Sequence, residues 1–314
     1  MSIAEASSSS LKKTPITIDG AHGLGDNLHQ RGCVRQLMRD HEVWLYSSWV
    51  SVYHDLIADG LHVINKRSPL RTQSKNAKRE EHLFETVQCG PVRSTPLPYR
   101  PEAVRRYNSV LAAMCEIWGV SYADADFRIP IPEEWADAVP KYAFGNGKPL
   151  LVYRPPTIRT EWRGSAARNP DPVAYAELYR SIRDQFFVVS VADLLPNYEW
   201  IAGDEMPADV KFHKGELAFE QLAALFHLAD MVLCAPGFAV VLAQAVSTPV
   251  VAVFGGYEDS RSFSGGARYT PYLGIDPITP CRCFSHYHSC QKQIDIPAAK
   301  EKLNRFIVDN VAAV

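Results

Sequence analysis

Residues 16–39, ITIDGAHGLGDNLHQRGCVRQLMR, decide how the rest of the chain is read. Ile16, Thr17 and Ile18 form a short β-favouring run, Gly20, Gly23 and Gly25 punctuate a turn, and Leu28, Cys33, Val34 and Leu37 then recur at helical spacing. The order is strand, turn, helix. In an open α/β sheet such a turn lies outside the carboxyl end of a strand, where ligands are held. One carboxylate, Asp26, stands there at the helix start. Two readings stay open: an acid that complements the positive end of the helix dipole, or the group that does the chemistry.

Working outward, residues 43–46 (VWLY) read as a second strand, residues 49–58 as a helix and residues 61–64 (LHVI) as a third strand. Strands alternating with helices imply a parallel, doubly wound sheet, because each parallel crossover needs a helix to return the chain. Residues 66–100 are polar and basic and carry Pro69, Pro91, Pro96 and Pro98, which favour a long surface loop. Within it Lys66, Arg67, Arg71, Lys75, Lys78 and Arg79 have no acid among them before Glu80, a patch suited to an anionic partner. A helix is expected over residues 101–118, with Pro101 in its first turn.

Four prolines and a Gly-Asn-Gly turn between residues 128 and 149 mark a boundary. They divide the chain into a tail (1–13), a first domain (14–140) and a second (141–314). The second repeats the alternation: strand 150–153, loop 154–169, helix 171–184, strand 186–191, a short strand near Trp200 and Ile201, helix 216–228, strand 231–234, a glycine turn, a helix ending at Val246 and strand 250–254. Two Rossmann-like halves leave a cleft between them, and clefts between domains hold substrates.

The 314 residues are 46% apolar and 22% charged, with a net charge of -2, which suits a globular chain and argues against a surface basic throughout. No run is long enough to span a bilayer, and the first ten residues are small and polar, so a cytoplasmic protein is expected, in the host cytoplasm if phage-encoded. Cys33, Cys89, Cys115 and Cys234 lie in apolar patterns as small core residues would, and seven cysteines make an unlikely framework of disulfides.

Three features could bind ligands. Arg154, Arg159 and Arg163 fall within ten residues at a strand's carboxyl end, and guanidinium groups bind phosphate bidentately. Gly237, Phe238 and Ala239 open a helix whose free N–H groups suit a diphosphate, although every βα unit needs some such turn. Cys281, Cys283, His286 and Cys290 could hold a metal ion or form a packed, reduced loop. His22 and His29 flank the opening turn and could touch a substrate.

Four stretches together resemble the heptosyltransferase-like family of GT-B glycosyltransferases: residues 23–26 (GLGD), residues 214–232 (KGELAFEQLAALFHLADMV), residues 242–255 (LAQAVSTPVVAVFG) and the cysteine-bearing segment from Cys281 to Cys290. The resemblance implies two Rossmann-like domains with parallel sheets facing across a cleft, the acceptor held by the first and a nucleotide-diphospho-sugar by the second. It gives Asp26 the role of general base and puts Gly25 beside the acceptor, where His22, His29, Lys66, Arg67 and Arg71, read from the residues themselves, are also expected. It puts Arg154, Lys214, Gly215, Gly237, Phe238 and Ala239 on the donor. Glu161 stands where a lysine is usual, so Arg159 or Arg163 would replace it. Pro236, Gly237, Phe238 and Val241 replace side chains that normally contact the donor, leaving backbone N–H groups to do so.

The implied reaction is inverting sugar transfer with no cofactor and no catalytic metal, the two domains closing by a hinge near residues 130–148. The expected acceptor is an anionic saccharide or glycolipid. A hydroxylated base in DNA, modified by a phage-type enzyme, is the alternative. A nucleotide- or sugar-binding protein without catalysis is the reading from another class.

Overall fold

The computed structural model describes residues 13–86, 95–96, 99–145 and 147–311. The amino-terminal part runs β1 (Thr14–Asp19), α1 (Leu24–Leu37), β2 (His41–Ser47), a 3₁₀ turn (Ser51–Tyr53) leading into α2 (His54–Ala58), β3 (His62–Asn65), α3 (Arg71–Arg79), β4 (Thr95–Pro96), α4 (Pro101–Tyr107), α5 (Val110–Trp118) and α6 (Glu133–Asp137). Its four strands are parallel, in the order β3-β2-β1-β4, with Ile18 opposite both Leu45 and Thr95.

The carboxyl-terminal part runs β5 (Leu150–Arg154), β6 (Thr157–Arg159), α7 (Pro172–Ile182), β7 (Phe187–Val191), β8 (Glu199–Ile201), β9 (Val210–Phe212), α8 (Phe219–His227), β10 (Met231–Cys234), α9 (Phe238–Ala245), β11 (Val250–Val253), β12 (Tyr272–Ile275) and α10 (Ile296–Asn310). Six of these strands form a second parallel sheet, β12-β11-β10-β5-β7-β9. Counted from β9, the order is third, second, first, fourth, fifth, sixth, that of a dinucleotide-binding sheet. The chain reverses direction across the sheet between β5 and β10, and in the first sheet between β1 and β4. Those two switch points are where ligand crevices form.

Side chains alternate across a strand, and β5 shows the result. Leu150 and Val152 point into an apolar core that also takes in Ile18, Leu28 and Leu45 of the first sheet and Val240 and Leu242 of α9. Leu151 and Tyr153 point the other way, under α7 and α10, with Tyr179 and Leu303. The first core is therefore continuous between the halves. Helix α1 lies directly on α9: a Cβ on Gly25 would come 3.1 Å from the Phe238 Cα. Ile129 N–H also donates to the Ala245 carbonyl at 2.8 Å. The halves already meet, so the hinge closure expected near residues 130–148 is not needed to join them.

Other expectations are revised. The segment read as a surface loop contains α3, whose buried face is Gln73, Asn76 and Ala77. A periodicity search keyed to aliphatic residues overlooks so polar a helix. The helix expected over residues 101–118 breaks at Asn108, which is left-handed (φ 53°), and Ser109 recaps it by accepting from Ala112 N–H at 3.3 Å. The strand at Trp200 pairs antiparallel with β6, outside the main sheet. Cys89 and Pro91 lie outside the described residues. Among the described residues no helix is long and apolar enough to cross a membrane.

Candidate active site

The segments leaving β1, β5, β7 and β10 converge on one cavity of about 260 Å³ between the two switch points. From the amino side it is lined by the first turn of α1, by one face of α3 and by Tyr99, just beyond β4. From the carboxyl side it is lined by Arg154, Arg159, Trp162 and Arg168 and by the turn that starts α9.

Asp26 sits in the first turn of α1 with its carboxylate folded over Gly23, where an added Cβ would lie 2.8 Å from Oδ2. The Tyr99 hydroxyl hydrogen-bonds to that carboxylate. Burial pushes the Asp26 pKa up from 3.8 to about 6, against the pull of the Arg168 guanidinium across the cavity. Arg168 is held by Glu258, its Nε donating to Oε1 at 2.8 Å, and this pairing keeps it cationic although it is largely desolvated. A carboxylate that is ionised at neutral pH yet basic enough to take a proton therefore faces a fixed cation from the other sheet.

Of the arginines read from the sequence, Arg154 and Arg159 line the cavity. Arg154 lies 4.5 Å over the Phe238 ring and donates to the Val191 carbonyl at 3.3 Å. Arg159 lies 5.1 Å over Trp162, with Nε 3.1 Å from Glu199 Oε2. Arg163 does not line it: this residue is left-handed (φ 55°), exposed, and hydrogen-bonded to the Tyr287 hydroxyl. Gly215 lines the cavity at φ 59°, while Lys214 is exposed and does not line it; its carbonyl accepts from Lys75 Nζ at 2.8 Å. Gly237 and Phe238 line the cavity, and Ala239 is buried behind them.

On the acceptor side Gly25 and His29 line the cavity. His29 is fully buried, edge-on to Phe127 at 5.1 Å, with Nε2 unpartnered among the described residues; burial lowers its pKa to about 3, so the ring is neutral. His22 lies outside, its carbonyl accepting from the Trp49 indole at 3.0 Å. Lys66 also lies outside, its Nζ pinning the β1 turn through Asp19 Oδ1 at 2.6 Å and the Gly20 carbonyl. Arg67 is exposed away from the cavity. Arg71 turns from the expected basic surface into the carboxyl half, 3.0 Å from Asp193 Oδ1 and 3.3 Å from Glu199 Oε2.

The sequence reading had not singled out Tyr99, Arg168 or Glu258. Arg168 closes the same arginine-bearing loop and could have been counted with it; Tyr99 carries no signal in the sequence. The cysteine cluster is also revised. Cys281, Cys283, His288 and Cys290 bring their ligating atoms within 4.8 Å of one another, with 3.5 Å from Cys281 Sγ to His288 Nδ1 and 3.4 Å between the sulfurs of Cys283 and Cys290. His286 instead faces Trp162 and Tyr257, at ring distances of 6.2 and 5.0 Å.

Two parallel Rossmann-like sheets with facing switch points and one cavity between them are the GT-B arrangement of glycosyltransferases. Solved structures agree with this class. The iron-containing dodecameric glycosyltransferase TibC of enterotoxigenic E. coli H10407 superposes with a TM-score of 0.60 at 15% identity, over 95% of this chain and 76% of its own. Its complex with ADP-D-β-D-heptose gives 0.58 at 15%, over 95% and 80%. E. coli ADP-heptose LPS heptosyltransferase II gives 0.55 at 13%, over 94% and 99%. At such identities the likeness is one of fold. No protein-family model and no curated protein matches the sequence.

Proposed function

We propose that this chain is a glycosyltransferase that moves a sugar from a nucleotide-diphospho-sugar to an acceptor hydroxyl with inversion. The observation that carries the reading is Asp26, a carboxyl with a pKa of about 6, facing Arg168, Arg154, Arg159 and the start of α9 over one cavity. The amino half takes the acceptor and the carboxyl half the donor.

Asp26, oriented by Tyr99, accepts the proton of the acceptor hydroxyl as that oxygen attacks the anomeric carbon. The bond from that carbon to the diphosphate oxygen breaks on the opposite face, and the leaving diphosphate keeps the electron pair. Charge growing on the diphosphate is met by the guanidinium groups and by backbone N–H groups at the start of α9. Neighbours named as heptosyltransferases, one of them solved with ADP-heptose, support a nucleoside diphosphate as carrier. A carboxyl tuned this way favours catalysis over binding alone. The DNA reading loses support, because three cations of the basic segment face the carboxyl half.

A thermal-shift screen of nucleoside diphosphates and nucleotide sugars tests the reading, since a ligand bound only by the folded chain raises its melting temperature. At least one nucleotide sugar should do so. If none does, the reading fails.

The thiol cluster favours a second element, a metal centre. Metal–sulfur bonds of about 2.3 Å set the edges of a tetrahedral site at about 3.8 Å. The distances of 3.4 to 3.5 Å among three of the six ligand pairs match that size. Cys281, Cys283, His288 and Cys290 would hold zinc or iron, and the name of one neighbour includes iron. These residues stand apart from the cavity lining. The metal's contribution is to brace the segment that carries His286 against Trp162. Elemental analysis of the purified protein checks it: one equivalent of zinc or iron is expected, and none in Cys290→Ser.

A further inference from the structure

Helix α3 belongs to the amino half but points its charges at the other half. Its inner face is fixed where it stands, Asn76 Nδ2 donating to the Ser48 carbonyl at 2.9 Å with Gln73 and Ala77 buried beside it. Arg71, Lys75 and Arg79 follow at intervals of four on the facing stripe, and all three side chains cross the cleft. Arg71 and Thr72 dock on Asp193, at 3.0 and 3.1 Å. Lys75 reaches Asp193 Oδ1 at 3.2 Å and the Lys214 carbonyl. Arg79 donates to the carbonyls of Gly215 and Leu217 at 2.7 and 3.0 Å, and among the described residues no carboxylate pairs with it.

The charge count at this wall is uneven. Arg71, Lys75, Arg154 and Arg159 converge on two buried carboxylates, Asp193 and Glu199, with Arg79 alongside and Glu161 and Glu216 exposed at the rim. Arg79 is exposed and so costs little unpaired, but its guanidinium is free to make a charge-assisted contact with an anion entering beside Lys75. Lys75 and Arg79 both line the cavity, as do Arg154 and Arg159.

We propose that α3 supplies half of the phosphate subsite: Lys75 and Arg79 reach over the cavity from the amino half and bind the diphosphate of the donor, while Arg71 and Asp193 hold the helix in place. This rests on the reading of the chain as a nucleotide-sugar transferase. The donor is thereby gripped from both halves.

Inorganic pyrophosphate is the probe, titrated by calorimetry at two salt concentrations into the full chain and into Lys75→Met, Arg79→Ala and Arg79→Lys. Losing one charge-assisted contact should weaken binding about tenfold and flatten the salt dependence, and Arg79→Lys, which keeps the charge, should fall between. Melting temperatures should stay near that of the parent, because the Arg71–Asp193 pair remains. A nucleotide sugar that stabilises the chain should compete with pyrophosphate. Unchanged pyrophosphate affinity in both charge-removing variants would overturn the proposal and leave α3 as a tie between the halves, with the transferase reading intact. Tight pyrophosphate binding that no nucleotide sugar displaces would overturn the assignment to the donor in favour of an acceptor phosphate. A parent chain that binds neither pyrophosphate nor any nucleotide sugar would end both readings.

Discussion

Replacing Asp26 with asparagine should separate stability from activity, and the structure sets the size of the effect. Burial raises the Asp26 pKa from 3.8 to about 6. At about 1.36 kcal/mol per unit, holding the ionised group in the folded chain at pH 8 costs about 3 kcal/mol. The sign follows from proton binding. Below about pH 4 the carboxyl is protonated in both the folded and unfolded chains, and there is no cost. Between about pH 4 and 6 the unfolded chain gives up its proton while the folded chain retains it, so stability falls as the pH rises. Above about pH 6 the loss is complete.

Asparagine fills the same volume, keeps an oxygen for the Tyr99 hydroxyl and carries no charge, so it escapes the cost. Asp26→Asn should be more stable than the parent by about 1 kcal/mol at pH 4.5 and about 3 kcal/mol at pH 8. With an unfolding entropy of about 2.1 cal/mol/K per residue, the larger figure is about 4.5 °C in melting temperature. Scanning calorimetry of both proteins across that range measures it, and transfer assays at pH 8 should find the more stable variant inactive. Equal melting temperatures at pH 8, or a gap that does not grow with pH, would refute the buried-carboxylate argument. Full transfer activity in the variant would remove Asp26 from its role.

Gly25→Val should drive α1 off α9, because the first atom of the new side chain already meets Phe238 at 3.1 Å; a lower melting temperature and lost nucleotide binding are expected together, read by thermal shift with and without ligand. Arg168→Ala should leave Glu258 buried and unpaired at a cost of about 3–5 kcal/mol, much of it recovered by adding Glu258→Gln, a double-mutant cycle readable in urea. The rate of transfer should climb with pH around a midpoint of about 6 in the parent and around a higher one in Arg168→Gln, since the guanidinium that favours the ionised Asp26 is gone. Cys290→Ser should abolish the metal content proposed for the thiol cluster, detected by elemental analysis, while Asp26 keeps its pH midpoint.

The parts of this architecture that sequence displays are those governed by local periodicity. Strand, glycine turn and helical spacing at residues 16–39 announce a Rossmann-like half, and the repeat after residue 149 announces a second. What sequence withholds is set by pairing across distance. Helix α3 is legible as charge but not as a helix, because its packed face is made of Gln73, Asn76 and Ala77 in place of aliphatic residues. Arg159 and Arg163 look alike in the sequence, yet one turns to Glu199 and the other to Tyr287, a difference made by the left-handed backbone at Arg163. His286 and His288 look alike as ligands too. Only the turn through Arg282 and Phe284, both at positive φ, determines which ring meets the thiols.

The tuning of Asp26 is the property most dependent on the whole fold. The desolvation that raises its pKa comes from α1 lying against α9, its hydrogen bond from Tyr99 beyond β4, and the opposing cation from the loop after β6. Those groups belong to both halves, so the pKa measures how tightly the halves are apposed. Were they to separate, water would reach the carboxyl and its pKa would fall back toward the ordinary value. Occupation of the cavity pulls it two ways: a diphosphate close by raises it further by like charge, whereas a polar acceptor beside the carboxylate lowers it by hydrogen bonding. The midpoint of the pH profile should accordingly be higher with the donor alone than with both substrates bound.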